Sequence, residues 1–70
     1  MSVTVEYVVT GMTCQHCVST VTEEVGAVSG VTDVRVDLES GQLIVVSDDD
    51  IPFESIETAV DEAGYSVAAA

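Results

Sequence analysis

The chain has 70 residues, with thirteen acidic side chains, one arginine and no lysine, and its formal net charge is −12. This charge excludes nucleic acid as a partner, because proteins bind phosphate backbones through lysine and arginine. No apolar run approaches the roughly 18 residues of a membrane span, and the N-terminus lacks the charged and apolar regions of a signal peptide, so we expect a cytoplasmic protein without membrane insertion.

The acidity itself has two interpretations. Self-repulsion at this charge destabilises a small folded domain unless salt screens it, and the Debye length falls from about 10 Å at 0.1 M salt to about 3 Å at 1 M. The composition resembles that of proteins from extreme halophiles. The alternative is an acidic domain whose charge steers it to a basic partner.

The first predicted elements are a strand and a helix. Residues 3–9 alternate in polarity, which predicts a strand with one apolar face: Val3, Val5, Tyr7 and Val9. From about Gln15 the apolar spacing changes to three and four residues, which predicts the buried face of a helix: Val18, Val21, Val25 and Val28. Valine is a poor helix former, so packing must override its propensity. Ser29 and Gly30 are expected to end this helix.

The second half of the chain repeats the alternation. Residues 31–38 predict a strand whose inward side chains are Val34, Val36 and Leu38, residues 39–42 a hairpin turn, and residues 43–46 the returning strand. A second helix follows, with Asp48 to Asp50 expected to cap its positive end and Gly64 to stop it. Its predicted buried face is Phe53, Ile56, Ala59, Val60 and Ala63. Residues 65–68 predict a short last strand.

This βαββαβ order predicts an α+β fold: a ferredoxin-like sandwich of a four-stranded antiparallel sheet with two helices on one face, forming one domain over residues 1–70. The other sheet face is then bare. Val8, Ile44 and Val46 are expected to point to solvent on that face, either as β-branched filler or as a weak self-association surface.

The motif GMTCQHC, from Gly11 to Cys17, contains both cysteines and the only histidine. A disulfide between Cys14 and Cys17 would close a tiny loop and stabilise by only about 2 kcal/mol. A redox dithiol is disfavoured by the short chain and by the lack of thioredoxin-like flanking residues. A metal clamp fits better, because a helix N-terminus stabilises thiolates. Two soft ligands suit Cu(I) and are too few for structural zinc.

With Gly30-Val31, the ESG turn and Gly64-Tyr65, this motif resembles the heavy-metal-associated domain family over about residues 3–67. Within the family, the chain looks most like small prokaryotic copper chaperones. The resemblance implies that Cys14 and Cys17 bind Cu(I), with Ag(I) as a second candidate cargo. It also implies delivery to a copper-transporting P-type ATPase by thiolate exchange, without enzymatic activity. The metal-free protein is expected to be a monomer, and a metal-bridged dimer is the candidate loaded form.

Three other assignments stay open. A metal-binding domain from the N-terminus of a copper-transporting ATPase has the same fold and motif, and a CxxC thiol redox protein is less favoured. Mercury binding is disfavoured because periplasmic mercury proteins of the family carry export signals. Zinc-exporting relatives commonly carry an acidic residue before the first cysteine, so Thr13 at that position favours Cu(I).

The neighbours of the thiols have less certain roles. The resemblance implies that Met12 packs inward as a core anchor, and Gly11 is expected to give the loop backbone freedom. His16 is expected to face solvent, and three roles are open for it. It has no metal role, it tunes the thiolates or helps a bridged dimer, or it is a direct ligand. The Tyr65 hydroxyl is expected either to reach a thiolate or simply to pack.

Overall fold

A computed structural model describes residues 2–69, and its elements follow the predicted order. They are β1 (Val3–Thr10), α1 (Gln15–Gly26), β2 (Val31–Val36), β3 (Gln42–Ser47), α2 (Phe53–Glu62) and β4 (Ser66–Ala69). The four strands form one sheet in the order β2-β3-β1-β4, and all its pairings are antiparallel. The predicted ferredoxin-like sandwich is therefore confirmed. Neither helix within residues 2–69 is long and apolar enough to cross a membrane.

The core lies between the sheet and the helices. Its largest fully buried side chains are Leu43, Ile56, Val21, Val25 and Val60. Tyr7 and Val9 of β1 are buried in the same cluster, as predicted. Val8, on the opposite face, is half-buried. Val5 shares the inner face of β1 but is 38% exposed and lies outside the buried cluster.

Two predicted elements end earlier than expected. The helix α1 ends at Gly26, before the expected stop at Ser29 and Gly30. Val28 therefore lies in the following turn, where its N–H donates to the Val25 carbonyl at 3.1 Å, and its side chain still packs against the core. The strand β2 ends at Val36, so Leu38 is a half-buried turn residue instead of a strand residue.

The predicted burial of Phe53 is wrong. Phe53 is the first residue of α2 and is 38% exposed. Its ring packs against the Tyr7 ring with centroids 5.8 Å apart. Phe53 therefore contacts the edge of the core through Tyr7 and keeps much of its surface open to solvent.

The predicted capping of α2 by Asp48 to Asp50 is also wrong. The N-cap position is Pro52, and no side chain among the described residues caps the helix. The three aspartates are exposed in the turn before it, where the Ser47 hydroxyl donates to the Asp49 carbonyl at 2.6 Å. The acidic residue in the first turn of α2 is Glu54, which is where the helix dipole favours a negative charge.

Candidate metal centre

Both cysteines lie where β1 passes into α1. Cys14 occupies the N-cap position with an extended backbone, φ −155° and ψ 170°. Cys17 lies in the first turn of α1, where its N–H donates to the Cys14 carbonyl at 3.0 Å. Cys14 is exposed and Cys17 is buried. The motif therefore presents one accessible thiol and one covered thiol at the same point.

The two sulfur atoms are 3.5 Å apart. A disulfide bond measures about 2.05 Å, so Cys14 and Cys17 are free thiols. Thiolate–metal bonds of about 2.3 Å each, as found for zinc, are long enough for both sulfurs to contact one ion. Within residues 2–69, no group of three or more His, Cys, Asp or Glu side chains could hold a metal ion. The arrangement is an open pair of soft ligands.

Hydrogen bonds lower the pKa of the Cys17 thiol from 9.0 to about 6. The largest cause is a hydrogen bond from the Thr13 backbone, followed by those from the Tyr65 hydroxyl and the Cys14 thiol, while burial acts in the opposite direction. The Thr13 hydroxyl oxygen also lies 3.9 Å from the Cys17 sulfur. Cys17 is therefore mostly a thiolate at neutral pH, which is the form that binds metals.

Tyr65 reaches the site from the other end of the chain. It follows α2, where its N–H donates to the Val60 carbonyl at 3.1 Å. Hydrogen bonding with Cys17 is the largest cause that raises the pKa of Tyr65, and burial and the negative charge of the nearby thiolates raise it further. The Tyr65 side chain is half-buried and packs against the core cluster, and its role at the thiols stays a prediction.

The structure separates Met12 and His16. Met12 is half-buried and packs against the core cluster. His16 is exposed on α1, and its carbonyl accepts a hydrogen bond from the Thr20 hydroxyl at 3.1 Å. The roles of both residues at a metal remain predictions.

Sequence reasoning missed the contribution of Thr13 to the state of Cys17. The sequence analysis used Thr13 only as a residue whose lack of a carboxylate favours Cu(I) over zinc. The available signal was the spacing of four residues between Thr13 and Cys17, since residues ahead of a helix commonly meet those in its first turn.

An open two-thiol site at the first strand-to-helix junction of a ferredoxin-like sandwich defines a small domain suited to thiophilic metal ions. A sequence profile described as "Heavy-metal-associated domain" matches residues 2–66. The chain belongs to the heavy-metal-associated domain family.

The chain is similar to several proteins that have been named individually. The chain is 44% identical over 61 residues to the copper chaperone CopZ of Bacillus subtilis, covering 86% of this chain and 88% of that one. It is 40% identical over 60 residues to a probable copper-exporting P-type ATPase of Archaeoglobus fulgidus, covering 84% of this chain but 8% of that one. The crystal structure of oxidized MerP from Ralstonia metallidurans superimposes with a TM-score of 0.88 at 34% identity, covering 99% and 97% of the two chains.

Proposed function

We propose that this protein is a cytoplasmic Cu(I) chaperone that delivers copper to a copper-transporting P-type ATPase. The observation that carries the proposal is the pair of free thiols 3.5 Å apart, in which one sulfur is exposed and the other is covered. Such a site holds a soft ion and leaves it open to a partner. We propose that the whole chain acts as one heavy-metal-associated domain and has no enzymatic activity.

In this proposal the ligands are Cys14 and Cys17. Soft thiolates favour Cu(I) over hard cations, and Ag(I), which is also soft and monovalent, is the second candidate cargo. Thr13 contributes no carboxylate beside the thiols, in agreement with a preference for Cu(I) over zinc. Met12, His16 and Tyr65 would then act around the site, with Tyr65 tuning Cys17 through their hydrogen bond.

Transfer would proceed by ligand exchange. A cysteine thiolate of the partner would approach Cu(I) on the side of the exposed Cys14 and form a third copper–sulfur bond. One original bond would then break, and a second exchange would release the ion. Each complete exchange forms one copper–sulfur bond and breaks one. Copper therefore stays Cu(I), and no electrons are transferred between the proteins. We propose a monomeric metal-free protein, with a metal-bridged dimer as the candidate loaded form.

The likeness to a copper chaperone supports the delivery role. The likeness to a segment of a copper-exporting ATPase favours a second candidate, a metal-binding domain of such a pump. A chaperone would pass Cu(I) to the ATPase as a separate molecule in a concentration-dependent reaction. A domain of the pump would transfer the ion within one chain, independently of concentration.

The test is an anaerobic Cu(I) titration against a competing chelator for the wild type, Cys14→Ser and Cys17→Ser. We expect one tightly held Cu(I) in the wild type and a large loss of affinity in both variants. Ser19→Ala, on the exposed face of α1, is the matched control and should retain full affinity. Weak binding by the wild type, or tight binding that survives both cysteine substitutions, would overturn the proposal. Parallel titrations with Ag(I) and Zn(II) measure the selectivity.

A further inference from the structure

The outer face of the sheet, opposite the helices, is apolar along its middle. Val8, Ile44 and Val46 alternate with the buried side chains of β1 and β3, so they point away from the core. All three are half-buried, and none belongs to the core cluster found within residues 2–69. The folded chain therefore leaves a band of β-branched side chains facing solvent.

Two opposite charges lie on either side of this band. The register sets Arg35 of β2 and Glu6 of β1 opposite the same residue of β3, Ile44. Both charged side chains are exposed. Neighbouring strands are about 4.8 Å apart, so the two charges flank Ile44 at similar distances. Arg35 is also the single arginine of a chain without lysine.

The outer face carries little unpaired negative charge. Arg35 Nε lies 3.5 Å from the Asp33 carboxylate, and the Gln42 side-chain amide donates a hydrogen bond to Glu6 at 3.1 Å. The other acidic residues lie on the helices and in the connecting segments. A second negatively charged molecule therefore meets less repulsion at the outer face than at the helices.

This pattern is complementary to itself. A two-fold axis that runs along β3 over Ile44, between two facing sheets, exchanges the two sides of the apolar band. It sets Arg35 of each copy over Glu6 of the other, while Ile44 and Val46 meet their own counterparts. Facing sheets lie about 10 Å apart, a distance that an arginine and a glutamate side chain can span together.

We propose that the outer face is a self-association surface, on which two copies of this chain pack sheet to sheet about the two-fold axis over Ile44. Because the face is only a few strands wide, the dimer is weak and forms at high protein concentration. Salt strengthens it, because salt screens the repulsion between the distant acidic residues of the two copies more than it weakens close contacts. At low salt and low concentration the metal-free protein stays monomeric.

The thiols take no part in this dimer. They lie at the start of α1, whose buried side chains pack on the opposite face of the sheet. The inference is therefore independent of the proposed function and differs from a metal-bridged dimer. A dimer of this kind leaves both thiol pairs open.

The test is sedimentation equilibrium of the reduced protein with a chelator present. Wild-type association should strengthen about tenfold between about 0.1 M and 2 M KCl. The variants are compared at about 0.5 M KCl, where close charges still interact. There Glu6→Arg should weaken association about tenfold, because it sets two positive charges against each other across the axis. The exchange Arg35→Glu with Glu6→Arg restores opposite charges and should restore wild-type association.

Glu57→Arg, on the exposed face of α2, is the matched control. It changes the net charge by the same amount as Glu6→Arg, but it should strengthen association because it only reduces repulsion. Circular dichroism checks that each variant is folded. A second measurement uses the wild type alone: backbone amide NMR shifts that depend on concentration should cluster on β1, β2 and β3.

A wild-type protein that stays monomeric at millimolar concentration in 2 M KCl would overturn the proposal. So would equal association of Glu6→Arg and Glu57→Arg, or a charge exchange that fails to restore the dimer. Association that disappears in a Cys14→Ser/Cys17→Ser protein would assign the contact to the thiols instead of the sheet. None of these results depends on Cu(I) binding, so the proposed function is tested separately by its own titration.

Discussion

The two helices begin in different ways, although each follows a strand in one half of the same fold. The first turn of α1 carries Cys17 and no acidic residue, whereas the first turn of α2 carries Glu54. Neither N-terminus is capped by a side chain among the described residues. A helix N-terminus stabilises negative charge, and at α2 a carboxylate occupies that position. At α1 the corresponding position holds the Cys17 thiol and no carboxylate, although the chain contains thirteen acidic residues.

In the same fold, the N-terminus of α2 is stabilised by a carboxylate, whereas the N-terminus of α1 carries the thiols of the candidate metal centre. A carboxylate beside the thiols would interact with the same helix dipole. Its negative charge would also disfavour a second negative charge on a neighbouring thiol. Its absence leaves the thiolate as the anion at this helix end. The predictions below test this contrast, from the largest expected effect to the smallest.

The largest effect is expected from removing a thiol. Losing a residue that only supports a metal ligand typically costs 10–100-fold in affinity, so Cys17→Ser should weaken Cu(I) binding by more than about 100-fold. The matched substitution at α2, Ser55→Ala, should leave binding unchanged. Competition with a chelator measures both. A Cys17→Ser protein with wild-type affinity would show that the start of α1 is not the metal site.

Salt should separate the charge of the whole molecule from the local chemistry of the thiols. Arg35 lies 3.5 Å from Asp33 and both are exposed, and one arginine against thirteen acidic residues leaves most of the negative charge unbalanced. The thermal unfolding midpoint should therefore rise between about 0.1 M and 2 M KCl as the repulsion is screened.

The Cys17 pKa should change much less over the same range, because hydrogen bonds from neighbouring groups lower it and salt does not screen them as it screens distant charges. A midpoint that does not rise would contradict the halophilic interpretation. A Cys17 pKa that rises towards 9.0 in salt would contradict the hydrogen-bond explanation.

The stability of the reduced, metal-free protein should rise with pH between about 6 and 9. The pKa of Cys17 is about 6 in the folded protein, below the value of 9.0 for an unperturbed thiol. The folded state therefore holds the thiolate more favourably, so its stabilisation is complete above pH 9 and is lost as pH falls through about 6. Urea unfolding at several pH values measures this slope. In Cys17→Ser the slope should flatten, and an unchanged slope would assign it to another group.

The smallest effects are expected from removing the acidic charge at the N-terminus of α2 and from adding one at the N-terminus of α1. Glu54→Gln removes a favourable charge from α2 and should cost about 0.3–1 kcal/mol at low ionic strength. Gln15→Glu adds a carboxylate to the first turn of α1 and should raise the thiol pKa values while changing stability little. Urea unfolding measures the first effect and the pH dependence of alkylation the second. Thiol pKa values that fall in Gln15→Glu would contradict the contrast between the helices.

Much of the fold could be predicted because its signals are local. Alternation of valines in β1 and their spacing in α1 depend only on the chain's own periodicity, and both elements begin where expected. The motif from Gly11 to Cys17 could likewise be located at a strand-to-helix junction, since the period changes at that point.

The tertiary structure decided the features that depend on where elements end in space. Val5 lies on the inner face of β1 and Phe53 begins α2, yet each is 38% exposed, because the helices and sheet do not cover the whole of each predicted apolar face. The aspartates at 48–50 lie in a turn ahead of Pro52 instead of capping the helix. The hydrophobic pattern that predicted the elements would be the same if these residues were placed differently, so the pattern could not decide their placement.

The sequence by itself determined the order of elements, the soft character of the site and its place at the start of α1. Only the tertiary structure decided that Gly11 lies against the Tyr65 ring. The physical reason is distance along the chain. Residues 11 and 65 meet through the register of β1 with β4, and that register depends on the packing of the whole sheet.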